Sequence, residues 1–513
     1  MTSFVTQMEL LFSSFKAVIS PDILLIIACA TTLGIVVGAI PGLTGTMALA
    51  LLINVTYHMK LEHAVAFLLS VYVGAIMGGC YSAIMINIPG TPAAAATALD
   101  GFPLAKQGKG GKAITVGIIS SFFGTVFSCL ILIFATPYIY TIALKFSQWE
   151  YFLLAFFGIT ICGSLAGDKS PVKGWIVGFL GFLAAMVGMD TIYSYPRFTF
   201  GSKDLLAGVQ LIPALIGVFG ISEVLTVLSE KVPYTIEQKI GSVLPEKGVI
   251  RKLILPAIRS GLIGAGIGAV PGAGEDIAAW VSYDTGRRRS KERDKFGKGS
   301  YEGLVCAEAA NNACIPGAMI PLLTLSIPGS PQAAMFMAAI ILHGVKPGPM
   351  LSIEDPGFMY TTGVTLLFAA FFMMIIGILL TKPMVHVLKL NRKILMPIVV
   401  PMTVIGAYAT NVNIFDIKVM FIFGVLGFIL RKFEFPMAPL VLGLILGNMA
   451  DKAFRQALMQ GQGSVIPLLG RPVGLILIAA IILSLYSGFR RYGKNKKAKL
   501  EAAGSTVGHR DTI

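Results

Sequence analysis

Gly38-Ala-Ile-Pro-Gly-Leu-Thr-Gly-Thr46 interrupts an apolar run that extends from residue 22 to 57. One bilayer crossing takes about 20 apolar residues, so the run is too long for a single straight span. Pro41 removes an amide donor and Gly42 frees the backbone, which breaks the helical ladder in mid-run. Such a break at membrane depth is tolerated only where the backbone is buried in protein or lines a cavity. The same break recurs 230 residues later. Gly268-Ala-Val-Pro-Gly-Ala-Gly-Glu-Asp276 divides the second long run, 253–283. A further pair follows at an offset of 239: Asn87-Ile-Pro-Gly-Thr-Pro92 and Ser326-Ile-Pro-Gly-Ser-Pro331.

Weaker echoes keep the same order. Lys173, Gly178 and Gly181 resemble Lys418, Gly424 and Gly427; Pro213-x-x-x-Gly217 resembles Pro439-x-x-x-Gly443. These pairs predict two structural halves, 22–230 and 253–460. Further apolar runs lie near 63–90, 113–142, 149–166, 172–190, 205–229, 302–327, 359–381, 394–410, 415–430, 434–450 and 472–488. Composition agrees. Of 513 residues 55% are hydrophobic and only 13% charged, with a mean hydropathy of +0.79. A water-soluble protein carries about 25% charged residues. A soluble enzyme, a disordered chain and a single-pass receptor are excluded, and the fold class is an all-α polytopic membrane protein.

The net charge of +15 comes from 41 Lys and Arg against 26 Asp and Glu. The basic residues sit in short loops, which fits the positive-inside rule better than nucleic-acid binding. Corresponding loops carry opposite bias. Residues 284–300 hold seven basic side chains, and their counterpart 58–63 holds only Lys60. Residues 104–112 carry Lys106, Lys109 and Lys112, whereas 344–357 balance Lys346 with Glu354 and Asp355. Inverted-topology repeats predict that pattern. Inversion needs an odd number of crossings per half, which follows if 22–57 and 253–283 are re-entrant hairpins; continuous broken helices in parallel repeats are the alternative. The expected organisation is an interfacial segment 1–21, repeat 1 at 22–230, a cytosolic linker 231–252, repeat 2 at 253–460, an extra C-terminal transmembrane helix at 461–488 and a basic cytosolic tail 489–513. No cleavable signal peptide is evident.

Several chemistries lack their motifs. There is no G-x-x-x-x-G-K-[ST] and no HExxH; the five histidines and six cysteines form no ligand cluster. Reduced buried thiols, no enzymatic activity and no cofactor beyond a coupling Na⁺ or H⁺ are expected. Paired broken elements in matching positions are instead the best sequence pointer to a transporter site. Free amides at a half-helix N-terminus attract anions. Gly42, Thr44, Gly45, Thr46, Gly90, Thr91, Gly272, Gly274, Gly329 and Ser330 are therefore the candidate substrate-binding residues. Asn87, Ser326, Glu275, Asp276, Asn311 and Asn312 are the candidates for cation coupling, because carboxylate and amide oxygens suit Na⁺ and ionisable groups at membrane depth are costly. Glu275 and Asp276 alternatively cap the following half-helix, and Asn311–Asn312 alternatively bond neighbouring helices. Arg259 is placed to balance Glu275, Asp276 or a substrate carboxylate. Glu223 and Glu308 also fall in apolar runs, with a pairing or interfacial role equally open. A channel with re-entrant filter loops is the rival reading.

At these residues the chain resembles the TctA family, the large membrane subunit of tripartite tricarboxylate transporters. The matching stretches are Gly38–Leu51, Ile86–Gly108, Pro213–Glu223, Ala265–Gly286 and Ile315–Pro349. The resemblance implies a multi-pass protein of the bacterial inner membrane that works with a small TctB-like membrane subunit and a periplasmic TctC-like solute-binding protein. It further implies uptake of di- or tricarboxylates driven by Na⁺ or H⁺, with an elevator-like movement of the site-bearing elements, and no nucleic-acid partner.

Overall fold

The computed structural model describes residues 4–165, 171–229, 241–245, 248–388, 392–486 and 489–490. The basic tail and most of the expected linker 231–252 lie outside the described residues. In chain order the main helices are α1 (Phe4–Val18), α2 (Pro21–Ala39), α3 (Gly45–Leu52), α4 (Leu61–Ile86), α5 (Ala95–Lys106), α6 (Gly110–Ala143), α7 (Gln148–Leu165), α8 (Pro171–Ala185) and α9 (Leu211–Ser229). They continue as α10 (Val249–Gly268), α11 (Gly274–Arg289), α12 (Tyr301–Leu325), α13 (Pro331–Leu342), α14 (Phe358–Leu380), α15 (Arg392–Asn411), α16 (Ile414–Lys432), α17 (Met437–Gln460) and α18 (Pro472–Tyr486). The one sheet among the described residues is a two-residue antiparallel pairing of Gly188–Met189 with Pro196–Arg197. The described residues are therefore mostly helical, as the composition predicts. Among the described residues, α2, α4, α6, α9, α14 and α17 are long and apolar enough to cross a membrane, and the protein is a multi-pass membrane protein.

The chain forms two compact units. The first comprises residues 1–145 and 210–428, the second 146–209 and 429–513. Each draws on both sequence halves.

In the first unit α4 is the central helix. Its apolar window is 94% buried, against 44% for α2 and α14. α12 is buried along nearly its whole length. Small residues allow this depth, because without a Cβ two backbones approach to contact distance. Gly34 and Gly38 of α2 lie against the Val71 and Ala75 carbonyls of α4; Gly264 and Gly268 of α10 lie against the Ala310 and Cys314 carbonyls of α12. Each position in the second pair follows its partner in the first by 230 or 239 residues, the offsets of the Pro-Gly motifs. The halves also interlock: Gly124 of α6 meets the Ala309 carbonyl of α12, and Tyr81 of α4 donates to the Gly377 carbonyl of α14 at 2.5 Å. Within α9, Gly217 rests on the Met420 carbonyl of α16, and residues 216–221 widen into a π-helical turn.

In the second unit α8 and α17 form the equivalent contact. Gly181 meets the Leu440 carbonyl and Gly443 meets the Gly178 carbonyl. Beside them, the 188–197 hairpin is held to α17 by charge. Arg455 donates both guanidinium ends to Asp190, and Arg197 bonds Asp451 at 2.9 Å. The Arg455 hydrogen bond holds the Asp190 carboxyl down at about 2.

One expectation about local structure changes. The stretch 284–300 was read as a loop, but α11 continues to Arg289. Arg287, Arg288 and Arg289 fill its last turn, where the helix dipole favours positive charge. Arg288 pairs with Asp284 one turn back at 2.8 Å.

Candidate functional site

The breaks lie where the motifs place them. α2 stops at Ala39 because Ile40, which precedes Pro41, takes an extended conformation (φ −80°, ψ 113°). Gly42 then turns at φ 89° and Thr44 caps α3, its hydroxyl accepting from the Met47 amide at 3.2 Å. In the second half Gly272 turns at φ 67° and Gly274 at φ 76°, where a Cβ is disfavoured. The other motif pair is equally matched. α4 ends at Asn87 with φ 57°, ψ 24°, and α12 ends at Ser326 with φ 59°, ψ 30°. Both are left-handed helix caps, a role Asn fills more readily than most residues. Gly90 then approaches the Gly38 carbonyl and Gly329 the Gly268 carbonyl. At both positions a side chain would collide with backbone.

These contacts bring the four segments into two junctions. At one, the α3 N-terminus lies beside α4 and α13: Gly45 faces Ala75 and the stem of Gln332. At the other, α11 packs on the turn Pro92–Ala94, and its first residues are stitched to the opposing motif. The Gly272 amide bonds the Pro328 carbonyl at 3.3 Å, and the Gly274 amide bonds the Gly329 carbonyl at 3.1 Å.

The side chains sort into three groups. Glu275 is buried in the first turn of α11 and accepts from the Tyr72 hydroxyl of α4. Tyr72 also bonds Ser330 Oγ at 2.6 Å, and Ser330 caps α13 by accepting from the Ala333 amide at 3.0 Å. One hydroxyl thus joins α4, α11 and α13. Asp276, its neighbour, is exposed. In the second group, Thr46 and Thr91 are buried, and Thr91 Oγ1 and Gln332 Oε1 have no hydrogen-bond partner among the described residues. In the third, Asn311 and Asn312 are fully buried on α12. Asn312 Nδ2 reaches the Val73 carbonyl only at 3.5 Å, and its Oδ1 has no hydrogen-bond partner among the described residues. Asn87 is exposed, and Ser326 Oγ donates to the Pro347 carbonyl at 2.5 Å.

Arg259 does not face Glu275 or Asp276. It pairs with Glu302 at 3.3 Å and touches Cys306 Sγ at 3.4 Å, so it ties α10 to the start of α12. Cys80, Cys129, Cys306 and Cys314 are buried free thiols, whereas Cys29, expected to be buried, is an exposed one; the described residues contain no His/Cys/Asp/Glu cluster that could hold a metal ion.

The sequence reading missed Tyr72, Asp100 and the partners of Glu308. A signal for Tyr72 was present. Tyrosine belongs at membrane interfaces, and one in mid-span needs a partner for its hydroxyl. Asp100 is fully buried on α5. Its Oδ1 accepts from the amides of Gly297, Gly299 and Ser300 at 2.9, 2.9 and 2.7 Å, and its Oδ2 from the Tyr283 hydroxyl at 2.8 Å. Nothing local announced it, because its partners lie nearly 200 residues away.

Comparison with known proteins identifies relatives and a family. An uncharacterized 52.8 kDa protein in the TAR-I ttuC' 3' region of Agrobacterium vitis is 32% identical over 464 residues, covering 89% of this chain and 92% of that protein. An uncharacterized protein in the TAR-II ttuC' 3' region of the same organism is 31% identical over 231 residues, 44% of this chain and 96% of its own length. No solved structure matches. The family model described as the tripartite tricarboxylate transporter TctA family matches residues 24–442. With its duplicated Pro-Gly breaks and membrane-spanning helices, the chain belongs to the tripartite tricarboxylate transporter TctA family.

Proposed function

We propose that the chain is the large membrane subunit of a secondary active transporter that imports di- or tricarboxylates, or related organic acids, by Na⁺ or H⁺ symport. Its two halves, 22–230 and 253–460, act as inverted-topology repeats with Pro-Gly re-entrant elements, and the helix in 461–488 is the extra crossing. The site-bearing elements move in an elevator-like manner. The setting is the bacterial inner membrane, with a small membrane subunit beside the chain and a periplasmic solute-binding protein delivering substrate.

The observation that carries this reading is the matched pair of broken segments with bare backbone at the centre of the first unit. The N-termini of α3, α11 and α13 carry amides without intrahelical acceptors, with hydroxyls of Thr44, Thr46, Thr91 and Ser330 close by. Amides and helix dipoles so placed bind carboxylate oxygens. Gly42, Gly45, Gly90, Gly272, Gly274 and Gly329 let substrate approach the main chain. Glu275, bridged by Tyr72 to Ser330, links cation occupancy to that site, and Asp276, Asn87, Ser326, Asn311 and Asn312 are the remaining candidates for cation coupling.

The test is uptake of a labelled dicarboxylate and tricarboxylate panel in proteoliposomes. The chain is reconstituted with the neighbouring small subunit, with and without the binding protein. Accumulation that requires a Na⁺ or pH gradient and the binding protein is expected. Downhill flux indifferent to both points to a channel. Uptake undiminished by Glu275→Gln with Asp276→Asn removes those two residues from coupling.

A further inference from the structure

Glu308 stands apart from the Pro-Gly breaks. It sits in mid-α12 with no solvent exposure. Thr97 Oγ1 of α5 donates to its Oε1 at 2.5 Å, and Ser121 Oγ of α6 donates to its Oε2 at 3.1 Å and to its own main-chain carbonyl at 3.3 Å. Asn311, one turn further along α12, lies beside the same carboxylate. It is fully buried, and its amide oxygen has no hydrogen-bond partner among the described residues. Gly117 and the Cys80 thiol close the remaining side. Among the described residues no Lys, Arg or His pairs with Glu308.

A buried carboxylate without a counter-ion is costly in hydrocarbon surroundings, and membrane proteins keep one where it binds something. The groups around it indicate what. Carboxylate, two hydroxyls and an amide supply oxygen from four side chains on three helices, the donor type of a hard cation. A single carboxylate neutralises one charge, which selects a monovalent ion over Ca²⁺ or Mg²⁺. The hydroxyl oxygens keep lone pairs free while donating to Glu308, and the Asn311 oxygen is unclaimed.

We propose that Glu308, Thr97, Ser121 and Asn311 form a Na⁺ site separate from the Glu275 junction. The two carboxylates sit on different helices, Glu275 on α11 and Glu308 on α12, and face different levels of α12. Glu275 lies next to Cys314, six residues beyond Glu308, a rise of about 9 Å along the helix. One neighbour of each occupies an equivalent position in the repeat. Tyr72, which touches Glu275, and Asn311, which lies beside Glu308, are 239 residues apart, the same offset as Asn87 and Ser326. A second ion per cycle would couple α12 to α5 and α6 of the other half. This deepens the symport reading and rests on it for its role in transport.

The experiment is equilibrium binding of radioactive Na⁺ to the purified full chain in detergent, with choline as the replacement cation. Glu308→Gln is expected to bind one fewer Na⁺ per chain than wild type. Thr97→Ala and Ser121→Ala should keep the site with an affinity lowered about tenfold each; they decide the matter if Glu308→Gln is not monodisperse. An unchanged number of bound ions in Glu308→Gln, or wild-type affinity in both hydroxyl variants, overturns the site. So does a wild type that binds no Na⁺. Uptake by wild type, measured in parallel, separates the two readings. Gradient-driven accumulation with an unchanged ion count in Glu308→Gln sinks this site alone. Loss of one ion in that variant without carboxylate accumulation by wild type sustains the site and sinks the symport reading.

Discussion

Asp100→Ala should unlock the loop that precedes α12. The carboxylate holds four donors, but they do not weigh equally. Gly297 is exposed and Gly299 half-exposed, so water replaces their lost acceptor at small cost. Ser300 and Tyr283 are buried and water does not reach them readily. A hydrogen bond to a charged acceptor contributes about 1.5–3 kcal/mol. Two such bonds set the local cost at about 3–6 kcal/mol, and strain released in the loop moves the value toward the lower end. At 1.36 kcal/mol per tenfold, exchange of the Ser300 amide should accelerate by at least about a hundredfold. Asp100→Asn retains an oxygen for the three amides but loses the charge and puts an NH2 where Oδ2 accepts from Tyr283, so a cost below that of Asp100→Ala, about 1–3 kcal/mol, is expected. The assay is hydrogen–deuterium exchange on the detergent-solubilised full chain, followed in peptides covering 295–304. Wild-type protection in Asp100→Ala, or a larger effect from Asp100→Asn, would refute the reasoning.

Three shorter predictions follow. Tyr72→Phe removes the hydroxyl between Glu275 and Ser330 without changing the packing; the cation concentration for half-maximal uptake should rise about ten- to a hundredfold, and an unchanged value removes Tyr72 from coupling. Gly268→Ala forces a methyl into the Cys314 carbonyl and should destabilise by about 1–3 kcal/mol or more, whereas Gly266→Ala, which meets nothing within 4 Å, should be neutral or stabilising; thermal stability of the two variants in detergent must rank in that order. The Asp190–Arg455 contact should fail in acid. The Asp190 pKa falls from 3.8 to about 2 on folding, so its stabilisation is fully present above 3.8 and is lost as pH drops toward 2; Asp190→Asn should flatten that part of the pH–stability profile.

The broken segments were legible because proline and glycine act locally. Pro41, Gly42, Pro271 and Gly272 break helices whatever surrounds them, and the structure places all four at helix ends. Asn87 and Ser326 were legible as special positions, and the structure adds a main-chain role, the left-handed cap, that the sequence reading did not assign. Charge partners were not legible. Arg259 was matched to the nearest carboxylates in its motif, yet Glu302 lies closer in space because α10 packs along α12. The Asp100 and Glu308 networks depend on α5 meeting elements from the other half, and no single-sequence pattern encodes that meeting. The repeat offsets came nearest to it, since equivalent glycines turned out to touch equivalent backbones.

The exchanged glycine contacts also bear on how the chain is made. Gly181 of α8 packs on Leu440, and Gly124 of α6 on Ala309. The first half therefore emerges with its small-residue faces unmatched. At about 5–20 residues per second, the 259 residues between Gly181 and Leu440 take about 13–52 s to synthesise. During that interval the small-residue face of α8 lacks the α17 backbone it packs on, and lipid is the available substitute. Lipid can occupy such a face without penalty because it competes with helices on nearly equal terms. A chain released before the last helices emerge should therefore be left with small-residue faces that have no native partner.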